Sequence, residues 1–185
     1  WKQVNLNGFG KRENRGAWAF YDFNDALYVS TLNDNGGEVH RFSAGTWNQI
    51  VSNGFGDSAN NVNVFAEFDG SLYAGTWNYD GNDISTGGQI WRSASGNNGS
   101  WQRVVNEGFS DATNCEIMSM MAFNGYLYAG TWSCDAGTHG AEIWRSATGN
   151  SGSCAQVAGD TVVGDSSNVA ILSMEIFNNN LYVVT

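Results

Sequence analysis

The stretch "LYAGTWN" at residues 72–78 returns as "LYAGTWS" at residues 127–133, about 55 residues further on, and it decides the fold. The surrounding residues repeat with it: "WNQIVSNGFGDSANN" from Trp47 returns from Trp101 as "WQRVVNEGFSDATNC". "GGQIWRSASGNNGSW" from Gly87 likewise returns from Gly140 as "GAEIWRSATGNSGSC". A diverged copy precedes these two, and a shortened copy ending in "LYVVT" follows them. A period of this length indicates one supersecondary unit stacked several times along the chain.

Each unit contains four short segments rich in β-branched and aromatic residues, separated by Gly, Asn and Asp. In the third copy we expect strands at about 115–123, 126–133, 141–147 and 153–157, and we name them a, b, c and d. Strand a segments such as "IMSMMAF" lack polar alternation, which indicates a sheet covered on both faces. The small residues of "YAGT" predict that this is the inner strand of the blade, crowded near the axis where the blades converge. The sequence therefore predicts an all-β fold, a β-propeller with four-stranded antiparallel blades.

The order of the expected strands is d, abcd, abcd, abcd, ab, about three and a half blades. We treat residues 1–185 as a single propeller portion with repeats at about 1–46, 47–100, 101–153 and 154–185. Propellers typically have four to eight blades. We therefore expect a larger ring, completed by further blades or by a second chain as a homo-oligomer.

Composition narrows the classes of partner. The net charge of −10 at pH 7 argues against nucleic acid, whose phosphates an acidic surface repels. No apolar run is long enough to span a membrane. Only 14% of residues are charged, and Asn, Gly, Ser and Thr supply the polarity instead. This composition is typical of secreted or cell-surface proteins, so we expect an extracellular location.

Hairpin arithmetic predicts a disulfide. Asn124-Gly125 between two apolar runs favours a two-residue turn, which pairs residues whose numbers sum to 249, including Cys115 and Cys134. The same counting pairs Arg15 with Asp34 in the first copy as an ion pair, and Asn61 with Asn78 in the second. The alternative is two free thiols in a reducing compartment. A disulfide favours an oxidising one.

The motif "LYAGTW…GxxIWRSxxGNxGSW" resembles the repeats of bacterial extracellular propellers in the sialidase-like and Kelch-like groups. The turn from Ser93 to Trp101 is similar to an Asp-box, although the box aspartate is absent and the spacing is longer. The resemblance implies the fold, but such propellers host hydrolases, lectins and scaffolds alike. A sialidase needs an arginine cluster, a Tyr–Glu nucleophile pair and an acid, and this set finds no match here.

One face of the propeller carries the b–c loops and the d-to-a links, and we name it the ligand face because its segments vary most. Asp-x-x-Asn recurs there just before strand a. One interpretation is an Asx-turn, and the other is a ring of side chains that binds sugar hydroxyls or a cation. The candidate ligand residues of this motif are Asp57, Asn60, Asp111, Asn114, Asp165 and Asn168.

Three further candidates lie on the ligand face. Trp77 and Trp132 end strand b, where they either pack between blades or form a platform for a sugar ring. His139, in a loop unique to the third copy, is a candidate for binding or titration. Asp80, Asn82 and Asp83 are candidate oxygen ligands for calcium, although calcium takes six to eight such ligands. We expect no other cofactor.

One arginine per repeat lies on strand c, at Arg41, Arg92 and Arg145, a regularity that indicates architecture. His40 replaces the tryptophan of the other copies and is expected to be a core variant. With no catalytic set in view, the favoured hypothesis is a non-catalytic binding or adhesion propeller whose ligand is a carbohydrate. The alternatives are a sialidase-like hydrolase or lyase with catalytic residues outside this chain, and a self-assembling structural repeat.

Overall fold

The computed structural model describes residues 1–78, 86–135, 138–159 and 166–185. Apart from short helical turns at Asn7–Gly10, Asn53–Gly56 and Glu107–Ser110, its regular structure is all strand. Among the described residues, no helix has the length and apolarity that a membrane crossing requires. The strands are β1 (Gly16–Phe23), β2 (Ala26–Leu32), β3 (Val39–Ser43), β4 (Thr46–Val51), β5 (Asn60–Phe68), β6 (Ser71–Asn78), β7 (Ile90–Ser93), β8 (Gln102–Val105), β9 (Asn114–Phe123), β10 (Tyr126–Ser133), β11 (Ile143–Ser146), β12 (Ala155–Ala158), β13 (Ser173–Phe177) and β14 (Asn180–Val184).

The strands form the predicted blades. Blade one is the antiparallel sheet β1-β2-β3-β4, blade two is β5–β8, blade three is β9–β12, and β13–β14 begin blade four. Strand a of each blade packs against strand a of the next, so that β1, β5, β9 and β13 line a common hub. The all-β propeller fold is thereby confirmed. The strand d expected at the start of the chain is not formed, because no strand c pairs with residues 1–6 in the described structure.

The hydrophobic core lies between blades rather than inside them. Phe23 and Tyr28 of blade one pack with Phe65 and Leu72 of blade two in one cluster of buried residues. The next cluster joins Tyr73 of blade two to blade three in the same way. Burial of apolar surface on both faces of each sheet explains why the strands lack polar alternation.

The small residues of "YAGT" serve this packing, but they lie on the second strand of the blade and not on the inner strand that the sequence predicts. There Gly75 faces Ile117 of β9, and Gly130 faces Ile171, which lies just before β13. A Cβ at either glycine would overlap the isoleucine side chain. The close approach of neighbouring blades near the hub therefore requires glycine at these two positions.

Bulges in the inner strands change the register that turn counting predicts. In blade three the sum of 249 holds from Phe123–Tyr126 to Ser119–Gly130 and then shifts at Met118. In blade two a similar shift lies between Val62 and Val64. The predicted pair Asn61–Asn78 is therefore wrong, and Asn78 faces Asn60 instead. Each bulge also re-aims the residue it contains, as bulges commonly do.

Contacts between the outer parts of neighbouring blades lock the fan together. Arg41 of blade one donates a hydrogen bond to Asn97 of blade two, and Arg92 does the same to Asn150 of blade three, at 2.5 and 2.6 Å. Gly96 lies so close to the Tyr28 hydroxyl that no Cβ could fit there. The arginines of strand c are thus architectural. Arg145 lies over the Tyr126 ring at 4.6 Å.

Candidate functional site

A buried polar network underlies the ligand face in each of the first three blades. In blade two, the Asn60 amide donates to the Gly54 carbonyl at 3.1 Å and to Gln89 Oε1 at 3.0 Å. Its oxygen accepts hydrogen bonds from Thr76 at 3.1 Å and from Asn78 at 2.9 Å. Asn60 is completely buried, and each of its polar atoms has a protein partner, as buried polar groups require.

Blade three repeats the network with Asn114, whose amide donates to Gly108 and to Glu142. Asn14 has the same role in blade one, where it donates to Gly8 and Glu38. Two asparagines of the predicted Asp-x-x-Asn motif, Asn60 and Asn114, thus have their side chains committed to the interior. What the motif offers to the outside is its aspartate.

The aspartates form the Asx-turns that were one of the two interpretations. The Asp57 carboxylate accepts the backbone N–H of Ala59 at 3.0 Å, and Asp111 accepts that of Thr113 at 2.9 Å. Both aspartates are half-buried and reachable from the ligand face. Asn168 is also half-buried, whereas Asp165 lies outside the described residues. A turn-forming carboxylate still has free lone pairs, so this geometry leaves a binding role for Asp57 and Asp111 available.

His40 is a core residue, as expected. It is 5% exposed, stacks on Phe9 with ring centroids 3.9 Å apart, and contacts Glu38 at 2.9 Å. Burial lowers the pKa of His40 against the opposing effect of Glu38. Burial raises the pKa of Glu38, but hydrogen bonds from Lys11, Asn14 and His40 outweigh it and hold that pKa below its ordinary value.

The two predicted tryptophans meet a carboxylate that sequence reasoning did not single out. Glu116, near the start of β9, is paired in the ladder with Trp132 of its own blade and with Trp77 of the preceding blade. Directly paired residues of antiparallel strands project to the same side of the sheet. Trp132 is 40% exposed and also bridges to Ala170 of blade four, while Trp77 is half-buried. The two indoles therefore flank Glu116 where three blades converge.

The Glu116 side chain is recessed, with only 3% of the residue exposed. Burial raises its pKa from 4.5 to about 7, and a hydrogen bond with Asn63 of blade two opposes the rise. Removing a carboxylate from water disfavours its charged form, which is the reason for the shift. At neutral pH the group is therefore poised between acid and carboxylate, a state typical of functional sites.

Neighbours on the hub side complete the surroundings of Glu116. Asn63 and Met118 occupy the bulges of β5 and β9, and the Asn63 amide lies 3.6 Å from the Met118 sulfur. The positions that match Glu116 in the ladder are Gly16, Asn61 and Ala170. This break in the repeat is the signal in the sequence that could have identified Glu116.

The disulfide between Cys115 and Cys134 is confirmed, with Cα atoms 5.9 Å apart. It joins the residue beside Glu116 to the loop that follows Trp132. The equivalent positions in blade one, Arg15 and Asp34, form the predicted ion pair. The covalent link thus ties the start of the b–c loop to the inner strand directly at the candidate site.

His139 lies in the loop that this disulfide anchors. Its Nδ1 atom is 3.3 Å from the Asp135 carboxylate, and both side chains are 48% exposed. Backbone N–H groups of Thr138 and His139 donate to the Asp135 carbonyl. The pair is therefore held at the ligand face and open to solvent. Its contacts with Asp135 place it in the loop after Trp132.

Asp80, Asn82 and Asp83, the predicted calcium ligands, lie outside the described residues. Within the described part of the chain, no group of three or more His, Cys, Asp or Glu side chains is arranged to hold a metal ion. The chemistry that the described site offers is an indole surface, a recessed carboxyl group and aspartates at the rim.

Comparisons with known proteins find a similarity in fold and none in sequence. No protein-family model matches the chain, and no curated protein matches it in sequence. The structure is similar to a glycoside hydrolase family 43 arabinoxylan arabinofuranohydrolase from Bacillus subtilis, solved in complex with cellotetraose, with a TM-score of 0.55. Sequence identity is 15%, and the match covers 96% of this chain and 44% of the other. The neighbour is a propeller, so the similarity supports the architecture, and this chain spans less than half of the neighbour's length.

Proposed function

We propose that this chain is a non-catalytic, extracellular carbohydrate-binding propeller portion whose ligand face binds sugars beside Glu116. The observation that carries the proposal is the exposed Trp132 indole directly next to a recessed carboxyl group. Indole faces stack on the C–H surface of sugar rings, and a few convergent polar groups then set orientation. The half-buried Trp77 extends the platform to the preceding blade.

Rim residues supply further contacts in this proposal. Asp57, Asp111, Asp165 and Asn168 offer oxygen acceptors to sugar hydroxyls, and His139 adds a donor from its own loop. A calcium ion held by Asp80, Asn82 and Asp83 is a further part of the proposal. The disulfide supports an extracellular location, because such bonds persist in oxidising compartments. The propeller neighbour crystallised with cellotetraose supports an oligosaccharide as the first ligand to test.

Calorimetric titration with cellotetraose and with arabinoxylan oligosaccharides tests the proposal. Wild type should bind one of these sugars. Trp132→Ala should weaken binding at least about 10-fold, because one stacking contact contributes about 1.4 kcal/mol to the binding free energy. Trp18→Ala is the matched control, since Trp18 is similarly exposed at 53% but belongs to blade one. Binding lost equally in both variants, or absent in wild type for every sugar, contradicts the proposal.

The hydrolase alternative gains one specific observation, the carboxyl group of Glu116. A pKa of about 7 suits a general acid at neutral pH. Glycoside hydrolysis also needs a second carboxylate, for which Asp57 and Asp111 on the same face are the candidates. Release of reducing sugar from arabinoxylan by wild type, abolished in Glu116→Gln with binding retained, would favour the enzyme. Sugar binding without release favours the binding protein.

A further inference from the structure

Glu116 lies between two indoles and has no cationic partner. Trp132 is paired with it on one side, Trp77 on the other, and Asn63 forms a hydrogen bond with its carboxyl group, so these neighbours bring no charge. The described residues include every Lys, Arg and His of the chain, and none of these side chains forms an ion pair with Glu116. A carboxyl group that is only 3% exposed therefore lacks the compensating charge that buried carboxylates usually have.

The ligand face of blades two and three is anionic. Residues 52–185 contain thirteen acidic and three basic side chains, so the whole net charge of −10 lies in this part of the chain. Asp57, Asp111 and Asp135 lie at the ligand face together with the Glu116 site, and the His139 imidazole there is paired with Asp135. Carboxylates arranged in this way produce a potential that attracts cations.

The three arginines of the same part of the chain have other contacts. Arg92 donates a hydrogen bond to the c–d turn of blade three, and Arg145 lies over the ring of Tyr126 beside the a–b hairpin. Both of these turns are on the face opposite the ligand face. Arg103 lies over the Trp91 ring at the outer edge of blade two, 5.9 Å from its centroid. The negative potential of the ligand face is therefore not neutralised by these arginines.

A carboxyl group between indoles suits an ammonium group better than a hydroxyl group. The faces of aromatic rings attract cations, tryptophan most strongly, and aromatic cages bind ammonium ligands in this way. An ammonium group also donates charge-assisted hydrogen bonds to a carboxylate, which are about twice as strong as neutral ones. Burial raises the pKa of Glu116 to about 7, and a cation bound beside it would restore the charged carboxylate.

We propose that the sugar bound beside Glu116 carries a positively charged amino group, so that the ligand class is glucosamine-type oligosaccharides rather than neutral glucans. This inference rests on the proposed carbohydrate-binding function and narrows its ligand. The Trp132 indole stacks on the sugar ring, and Glu116 accepts hydrogen bonds from the ammonium group. Asp57 and Asp111 at the rim attract further amino groups along the same oligosaccharide.

Two tetrasaccharides with the same β-1,4-linked backbone test the inference. The glucosamine tetramer differs from cellotetraose in having an amino group in place of each 2-hydroxyl. In calorimetric titrations at about pH 6, where the amino groups are protonated, wild type should bind the glucosamine tetramer at least about 10-fold more tightly than cellotetraose. The fully N-acetylated tetramer retains the nitrogen atoms without their charge and should bind like cellotetraose.

Substitution of Glu116 locates the effect. Glu116→Gln should bring the ratio of the two affinities close to one. Glu67→Gln is the matched control, because it removes an exposed carboxylate at the hairpin end of β5, on the opposite face, and should retain the wild-type ratio. Titrations in two buffers of different ionisation enthalpy should also show that wild type releases about one proton more per bound amino sugar than Glu116→Gln. Thermal unfolding verifies that both variants are folded.

The outcomes separate this inference from the function on which it rests. Cellotetraose that binds as tightly as the glucosamine tetramer overturns the inference and leaves carbohydrate binding in place. Tetralysine is a cation without a sugar ring; if it binds as tightly as the glucosamine tetramer, or if Glu116→Gln retains the wild-type ratio, the acidic surface rather than this site is responsible and the inference is overturned. No binding of any saccharide, neutral or charged, contradicts the proposed function as well.

Discussion

Replacing Glu116 by glutamine should change how the stability of the fold depends on pH. Glu116 is 3% exposed, and its pKa rises from 4.5 in an unfolded chain to about 7 in the folded protein. Below pH 4.5 the carboxyl group is protonated in both the folded and the unfolded state, so its ionisation does not change the free energy of unfolding. Between pH 4.5 and 7 only the folded state keeps it, so the free energy of unfolding falls as pH rises, by about 3 kcal/mol in total. Glutamine cannot ionise, so the variant lacks this loss.

Urea unfolding followed by tryptophan fluorescence, performed on both proteins across this pH range, measures the effect. The stability of Glu116→Gln relative to wild type should increase by about 3 kcal/mol from acid to alkaline pH, and groups such as His40 cancel in the comparison. Asn63→Ala removes a hydrogen bond that lowers the Glu116 pKa, so the transition should move to higher pH. A stability difference that stays constant with pH would refute the assignment of a buried, proton-binding Glu116.

Three further changes test the architecture. Replacing Cys115 and Cys134 together by serine opens a loop with a sequence separation of 19, which should lower stability by about 3 kcal/mol in denaturant unfolding, and reductant should then destabilise wild type alone. Gly96→Ala should cost about 1–3 kcal/mol more than Gly99→Ala in the same assay: both glycines have positive φ, but only the first abuts a tyrosine hydroxyl, so equal costs would contradict the packing. Asn60→Ala should lower the thermal midpoint through about 3 kcal/mol of lost hydrogen bonding, and an unchanged midpoint would mean that the buried network is not stabilising.

Local signals in the sequence predict the blades well because period and turn chemistry act over short distances. Asn24-Asp25 and Asn124-Gly125 adopt the positive φ angles that a two-residue hairpin turn needs. Turn counting fails further from the turn, because a bulge adds a residue without any marker in the sequence. Turn counting still predicts the Cys115–Cys134 bond correctly, although the register shifts between the turn and these residues. Cys115 is itself the extra residue of a bulge, and from there its thiol reaches Cys134.

The candidate site is predicted only in part for a different reason. Trp77 and Trp132 stand out because they repeat, whereas Glu116 only departs from the repeat, and its burial and raised pKa become visible in the structure. Asn60 and Asn114 repeat as conspicuously as the tryptophans, yet they serve the interior. A residue that recurs in every repeat indicates a role that all blades share. Recurrence alone does not distinguish a side chain that binds a ligand from one that forms hydrogen bonds with buried polar groups.

The arginine–asparagine and tyrosine–glycine contacts join residues of neighbouring blades. The outer part of each blade is therefore completed by residues of the next blade. Each of the second and third blades carries one such asparagine for the blade before it, and the second also carries an arginine for the blade after it. Inserting a further blade of the same kind therefore recreates both contacts at its two borders. Tandem duplication of a whole repeat is the natural way for such a chain to lengthen.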